Sequence, residues 1–319
     1  METHVQERSD DEASSPRIGG AYADRKGLPG RALRRDHRVH RQRHRRGGAV
    51  RGGVVNPAAL FDVSGKTVVV TGGSRGIGLM IAHGFVAAGA TVIISSRNAE
   101  ACEKAAAELS ALTSPGAGTC LAHPADLSTA EGLESLAERV AEVAPRLNVL
   151  VNNAGAAWGA PIGDFPDSGF DKVLNVNVKA VFSLTQRLLP QLRRAATAQD
   201  PARVINIGSI DGLVVSASDN FSYVASKAAV HMLTRKMAAT LASDHITVNA
   251  LAPGPFPTKM MAHVLDDPEL RDDVVERVPL GRVGTPEDIA SPAIFLASRA
   301  GAYLTGTVIP VDGGISGTR

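Results

Sequence analysis

From Lys66 to the end of the chain, two apolar patterns alternate. Short runs rich in Val, Ile and Thr read as buried strands, and the longer stretches between them repeat apolar residues at helical spacing. The predicted strands are Thr67 to Val70, Thr91 to Ile94, Thr119 to Ala122, Val149 to Val151, Val204 to Ile207, Thr247 to Leu251 and Val308 to Val311. The predicted helices are Gly76 to Ala88, Ala99 to Leu112, Thr129 to Val143, Phe170 to Arg194, Tyr223 to Ala242 and Pro286 to Ala297. Helix-length crossovers join strands in parallel, so the pattern predicts one α/β domain, a doubly wound seven-stranded parallel sheet with helices on both faces. Only the segment from Gly254 to Arg282 breaks the tight alternation. Long connections after a strand's carboxyl end sit where this architecture binds ligands.

The first predicted strand runs into Gly72-Gly73-Ser74-Arg75-Gly76-Ile77-Gly78 and then a helix. Glycines in that context allow a tight turn and close backbone approach to a pyrophosphate held at the helix N-terminus. The spacing Gly72-x-x-x-Gly76-x-Gly78 differs from G-x-G-x-x-G, and no Gly-Lys-Ser/Thr follows to make it a P-loop. The domain therefore reads as a Rossmann-like dinucleotide binder. The second strand ends in Ser95-Ser96-Arg97 with no acid, and Arg75 lies in the glycine loop. A carboxylate there would accept the ribose hydroxyls of NAD, whereas arginines suit a 2′-phosphate, so NADP(H) is the expected cofactor.

Chemistry is carried by Tyr223-Val224-Ala225-Ser226-Lys227, since a helical Tyr-x-x-x-Lys puts both side chains on one face. An ammonium close to a phenol favours the phenolate, so Lys227 is expected to lower the pKa of Tyr223. Ser209 lies fourteen residues before the tyrosine, Asn152-Asn153-Ala154-Gly155 closes the fourth strand, and Asn177 falls within the helix that follows. With Pro253-Gly254-x-x-x-Thr258 and Asp312-Gly313-Gly314, these motifs resemble the short-chain dehydrogenase/reductase family over essentially all of residues 60 to 315.

The resemblance implies a catalytic set of Ser209, Tyr223, Lys227 and Asn177. Tyr223 would donate a proton to a carbonyl oxygen and Ser209 would hydrogen-bond the same oxygen. Lys227 would hold the nicotinamide ribose, and Asn177 would anchor a water linking Lys227 to solvent. It also implies a cofactor cleft formed by Gly72, Ser74, Arg75, Gly76, Ile77, Gly78, Ser96, Arg97, Asp126, Leu127, Asn153, Ala154, Gly155, Pro253, Gly254, Phe256 and Thr258, with Tyr223 and Lys227. Asp126 would contact adenine, and Thr258 the nicotinamide end. Within the family, NNAGAAWGAP from Asn152, PARVINIGSIDG from Pro201 and APGPFPTKM from Ala252 resemble NADPH-dependent β-ketoacyl reductases. The implied reaction is reduction of a 3-oxoacyl thioester on acyl carrier protein or coenzyme A, with a polyol, sugar acid or small ketone as the alternative substrate. A non-enzymatic dinucleotide-binding partner protein is a remote third reading. The helices Phe170 to Arg194 and Tyr223 to Ala242 resemble those that pair subunits in the family, which implies a homotetramer. Residues Asp211 to Ser222 hold one residue more than the commonest spacing. Trp158 is expected as a loop anchor or as part of an acyl pocket; Phe221, Phe256, Met260 and Met261 are expected as pocket wall or core. His83 and His231 are assigned no catalysis.

Charge changes the picture at one end. Residues 1 to 55 hold thirteen Lys/Arg against seven Asp/Glu, while residues 56 to 319 hold twenty-one against twenty-five. The domain, 56 to 319, offers no basic footprint for nucleic acid. From Arg31 to Arg51 the chain has almost no apolar residue and is expected to be disordered. An arm for nucleic acid or a membrane surface, or a transit peptide, is a competing reading, the last opposed by Asp10, Asp11 and Glu12. The favoured expectation is a solvated extension, with a later translation start such as Val54 or Val55 as one form of it. No apolar run supports a membrane span. The two cysteines, Cys102 and Cys120, lack metal-ligand spacing and are expected as reduced thiols in a cytoplasmic protein, with no metal site.

Overall fold

The computed structural model describes residues 56–112, 116–216 and 218–318, so the expectations for residues 1 to 55 lie outside the described residues. Seven strands form one sheet: β1 Thr67–Thr71, β2 Thr91–Ser95, β3 Thr119–Ala122, β4 Val149–Asn152, β5 Ala202–Ile207, β6 Ile246–Pro253 and β7 Val308–Val311. Their order is β3-β2-β1-β4-β5-β6-β7, and every neighbouring pair is parallel. The order reverses between β1 and β4, and such a switch point opens a crevice at the strands' carboxyl ends.

The described helices are α1 Pro57–Phe61, α2 Gly76–Ala87, α3 Ala99–Ser110, α4 Ala130–Val143, α5 Asp167–Leu174, α6 Ala180–Ala195, α7 Phe221–Leu241, α8 Ala262–Leu265, α9 Pro268–Glu276 and α10 Pro286–Ala297. Several start where a short polar side chain satisfies free backbone donors. Asn98 accepts from Ala101 N at 2.7 Å, Thr129 accepts from Gly132 N at 3.0 Å, and Asp267 accepts from both Glu269 N and Leu270 N. Side chains alternate across each strand, which divides the core into two layers. Val68 and Val70 pack with Ile81, Phe85, Ile94 and Leu296 on one face, while Val69 packs with Leu136, Leu150, Leu184 and Leu188 on the other.

Three expectations change. The single helix expected from Phe170 to Arg194 is α5, a π-helical turn over Asn175–Lys179, and α6. The wider turn is pinned at its start and its middle by amides, with Asn175 donating to Ser128 O and Asn177 bonded to Ala156 and Ser226. The long connection after β6 carries α8 and α9, the second opened by Asp267 with Pro268 in its first turn. Ser209, expected at the end of the fifth strand, instead lies past Ile207, where β5 stops, and caps a short 3-10 turn, Ile210–Gly212.

A buried amide chain ties the sheet centre to α6 and α7, which pack on the same face. Asn152 Nδ2 donates to Asn206 Oδ1 at 2.9 Å and to Thr185 Oγ1 at 3.1 Å, and Asn206 Nδ2 donates to Thr234 Oγ1 at 2.9 Å. Asn206→Ala removes an acceptor and a donor from this dry chain. It is expected to cost about 2–3 kcal/mol, read as a lower midpoint in urea unfolding at unchanged slope.

Candidate active site

The crevice is built first by β1. After Thr71 the backbone turns through Gly72 at φ +65° and Gly76 at φ +53°, a conformation that favours glycine. Helix α2 then begins at Gly76 behind Arg75, with no side chain capping its first N–H groups. These free donors, together with the helix dipole, are what an anionic group binds. Close packing fixes the loop. A Cβ at Gly78 would stand 2.3 Å from Gly72 O and 2.4 Å from Asn153 Nδ2, and one at Gly73 would stand 2.6 Å from Ile94 Cγ2. Asn153 Nδ2 donates to Thr71 O at 2.8 Å and Gly72 O at 3.2 Å, and the N–H groups of Asn153 and Ala154 donate to Thr71 Oγ1. The glycine loop and the Asn-Asn-Ala-Gly turn are therefore one assembly across the switch point. Thr258 closes it on a third side, its methyl 3.3 Å from where a Cβ of Gly76 would lie. An uncapped helix start behind a tightly packed, glycine-rich loop fits a dinucleotide pyrophosphate.

At the ends of β2 and β3, Ser96 is half-buried, whereas Arg75 and Arg97 are exposed and their guanidinium groups make no hydrogen bond to a described residue. Asp126 is exposed; hydrogen bonds from Ser128 hold its carboxyl below the usual range, with Arg97 adding to the effect. Leu127 is buried in the core, Ile77 packs at its edge, and Pro253 ends β6. Gly254 sits against Asp312, where a Cβ would come within 2.8 Å.

Four side chains converge from the turn after β5, the π-helical turn and α7. Lys227 is buried, with Nζ donating to Ile207 O at 2.8 Å and lying 5.3 Å from the centre of the Tyr223 ring. Ser209 is buried beside Tyr223, near enough for its hydroxyl to lower the phenol's pKa. Asn177 Oδ1 accepts from Ala156 N at 2.8 Å, and its Nδ2 donates to Ala156 O and to Ser226 Oγ, each at 2.9 Å. The sequence motifs thus meet at one place, Gly155 included, since a Cβ there would lie 3.4 Å from Asn177 Oδ1.

The electrostatics differ from the sequence expectation. Burial pushes the Tyr223 phenol up to about 12, against the contact with Ser209 and with Asp211 adding to the rise. Burial likewise brings Lys227 down to about 8, with Asp211 opposing. The Tyr223 phenol therefore lies above its ordinary value rather than below it, because losing water outweighs the contact with Ser209. Of the two readings open for Phe256, its side chain takes the core one: it is only 2% exposed and packs against Gly284. Trp158 packs on Gly169 of α5 with Lys172 Nζ 5.5 Å from its ring, as a loop anchor does. Phe221 and Met260 stay partly exposed, and Phe221 meets Phe165 edge-on at 5.8 Å. Sequence reasoning missed Ser226, whose Oγ links Asn177 to Tyr223 O, and Asp211, beside Ser209 in the same turn. Their positions between Ser209, Tyr223 and Lys227 were the available signal. Among the described residues no group of three His, Cys, Asp or Glu side chains could hold a metal ion, and no helix is long and apolar enough to cross a membrane.

This arrangement is that of a dinucleotide-dependent oxidoreductase. A family model described as enoyl-(acyl carrier protein) reductase matches residues 72–316, and the chain belongs to the short-chain dehydrogenase/reductase family. The chain is 50% identical over 254 residues to the rhamnolipids biosynthesis 3-oxoacyl-(acyl-carrier-protein) reductase of Pseudomonas aeruginosa, covering 80% of this chain and 97% of that protein. It is 38% identical to the galactitol 2-dehydrogenase (L-tagatose-forming) of Cereibacter sphaeroides, over 80% of this chain and 96% of that one. Among solved structures, the Pseudomonas aeruginosa RhlG/NADP active-site complex superposes with a TM-score of 0.78 at 49% identity, covering 81% of this chain and 99% of that chain.

Gly78→Ala is expected to weaken NADPH binding at least tenfold, because its methyl must displace both Gly72 O and Asn153 Nδ2. Cofactor fluorescence titration checks this, with circular dichroism confirming an intact fold.

Proposed function

We propose that the protein reduces the keto group of a 3-oxoacyl thioester, on acyl carrier protein or coenzyme A, to the 3-hydroxy product with NADPH. The observation that carries the reaction class is the pair of neighbouring hydroxyls, Ser209 and Tyr223, beside the buried Lys227 side chain. The substrate class is supported by 50% identity to a protein named as a 3-oxoacyl reductase.

Gly72, Ser74, Gly76, Ile77 and Gly78 would hold the pyrophosphate on the α2 N-terminus, with Asn153, Ala154 and Gly155 forming the opposite wall. Arg75 and Arg97, with Ser96, would grip the 2′-phosphate. Asp126 and Leu127 would border the adenine end, and Pro253, Gly254, the backbone of Phe256, and Thr258 the nicotinamide end. When bound, NADPH supplies the hydride. Ser209 and Tyr223 orient the substrate carbonyl by hydrogen bonds to its oxygen, which strengthen as negative charge develops there. Tyr223 then gives that oxygen its phenolic proton. A phenol held near 12 stays protonated at neutral pH, the state a donor needs. The resulting phenolate is stabilised by Lys227, and Asn177 anchors the water path that returns a proton. Since Lys227 has a pKa near 8 and must be charged, reduction is fast below that pH and is lost as pH rises through it.

A polyol or sugar-acid substrate is the second reading, favoured by the identity to a galactitol dehydrogenase. Subunit pairing through α6 and α7, which expose Phe182 and Met232, fits a homotetramer, and we place the enzyme in the cytoplasm.

The test follows NADPH oxidation with acetoacetyl-CoA, a longer 3-oxoacyl thioester, crotonyl-CoA, keto-sugars and simple ketones. Turnover selective for the 3-oxoacyl thioesters is expected. Turnover confined to crotonyl-CoA or to small ketones overturns the acyl-ketone assignment. Arg97→Ala is expected to weaken NADPH binding by about 10- to 100-fold, the worth of a charge-assisted phosphate contact, and to leave NADH unchanged.

A further inference from the structure

The turn that carries Ser209 also carries a carboxylate that the reaction described above does not use. Asp211 N donates to Ser209 Oγ at 3.1 Å, so the two residues share one turn and move together. Its Oδ2 accepts from Asn220 Nδ2 at 3.0 Å, and Asn220 O in turn accepts from Tyr223 N at 2.8 Å at the start of α7. The turn lies directly on α7, since a Cβ at Gly212 would come 2.7 Å from the carbonyl carbon of Lys227. Asp211 is thus tethered at both ends of the catalytic group, by Ser209 on one side and by the residue that opens the tyrosine's helix on the other.

We propose that Asp211 is a positioning residue for carbonyl reduction, a half-buried carboxylate whose charge keeps Lys227 in its ammonium form and Tyr223 in its phenol form. The inference rests on the carbonyl-reductase reading. Among the described residues, the ionisable groups around this centre are Tyr223, Lys227 and His231, all on one face of α7, with Arg235 acting on His231. Asp211 is the acid among them. Burial favours the neutral lysine, and the negative charge of Asp211 works against it. The same charge disfavours a second anion at Tyr223. Burial raises the carboxyl of Asp211 itself, opposed by the bond from Asn220 and by Lys227. His231 lies one turn past Lys227, where burial lowers its pKa, so it is neutral across the alkaline range in which Lys227 titrates.

The sign follows. Removing the charge lowers the pKa of both Lys227 and Tyr223, and reduction requires both protonated. Asp211→Asn keeps the size of the side chain and an oxygen to accept from Asn220. Its kcat/KM for reduction, measured with whichever carbonyl substrate the wild-type enzyme turns over, is expected to fall off about one pH unit lower than in the wild type, with the plateau at acid pH nearly unchanged. Asn220→Ala, which releases the carboxylate from its place over α7, is expected to shift the profile in the same direction by less. A readout independent of turnover is tyrosine ionisation followed by ultraviolet absorbance, in which the Tyr223 step moves to lower pH in Asp211→Asn. A profile and a tyrosine step that superimpose on those of the wild type overturn the proposal. A uniform loss of rate at every pH also overturns it, because that is what a merely structural turn residue would give. Absence of carbonyl turnover by the wild-type enzyme sinks the reductase reading instead, and leaves the absorbance titration to decide the role of Asp211.

Discussion

Burying the ammonium of Lys227 constrains everything around it. At that depth an ion has lost its water, and its cost of several kcal/mol is offset only by groups fixed in advance. One is Ile207 O, at the carboxyl end of β5, which accepts from Nζ at 2.8 Å. Another is Asp211, held over α7 by the short turn that also carries Ser209. For that turn to lie so close, the backbone must be bare. A Cβ at Gly208 would come 2.1 Å from His231 Nε2, and one at Gly212 would come 2.7 Å from the Lys227 carbonyl carbon. The two glycines flanking the Ser209 turn are thus a requirement of the lysine's position, as Gly78 is a requirement of the cofactor crevice.

The π-helical turn between α5 and α6 has the same logic. A regular helix would keep all its carboxamides on the α-helical repeat, whereas the widened turn re-aims Asn177 toward Ala156 and Ser226. Ser226 Oγ then bonds Tyr223 O, so the loop after β4, the turn and the tyrosine's helix are joined through one side chain. Such bulges cost helix regularity and are found where function demands a side chain in a particular direction. The amide chain Asn152–Asn206–Thr234 runs beneath this junction and ties β4 and β5 to α7. Packing at the sheet centre and geometry at its edge are therefore one connected network.

Much of this was legible in the sequence because it is carried by periodicity and by residues with few alternative uses. The β-branched runs located all seven strands, and the glycine loop could be recognised because only glycine tolerates both its turn at Gly72 and its crowding at Gly78. What was not legible depends on depth. Phe256, in a loop after β6, reads equally as pocket wall or core until the fold buries it against Gly284. The pKa of Tyr223 was misjudged because spacing reveals a neighbouring cation but not the loss of water around both groups. Asp211 carries no signal of its own in the sequence, since nothing local says that α7 lies beneath it. The π-helical turn has no periodic signature in Asn175 to Lys179 and emerges only from the partners of two asparagines.

The central claim is that Tyr223 moves the proton while the crevice holds the cofactor without its help. The most direct measurement is carbonyl reduction and NADPH affinity determined side by side in Tyr223→Phe, which deletes one hydroxyl and keeps the ring over Lys227. Turnover is predicted to drop by about 10²- to 10⁴-fold, the worth of a positioned proton donor, with NADPH affinity within about twofold of the wild type. Retained turnover would contradict the account and move the proton source elsewhere. Loss of NADPH binding in step with turnover would contradict the separation of crevice from catalyst.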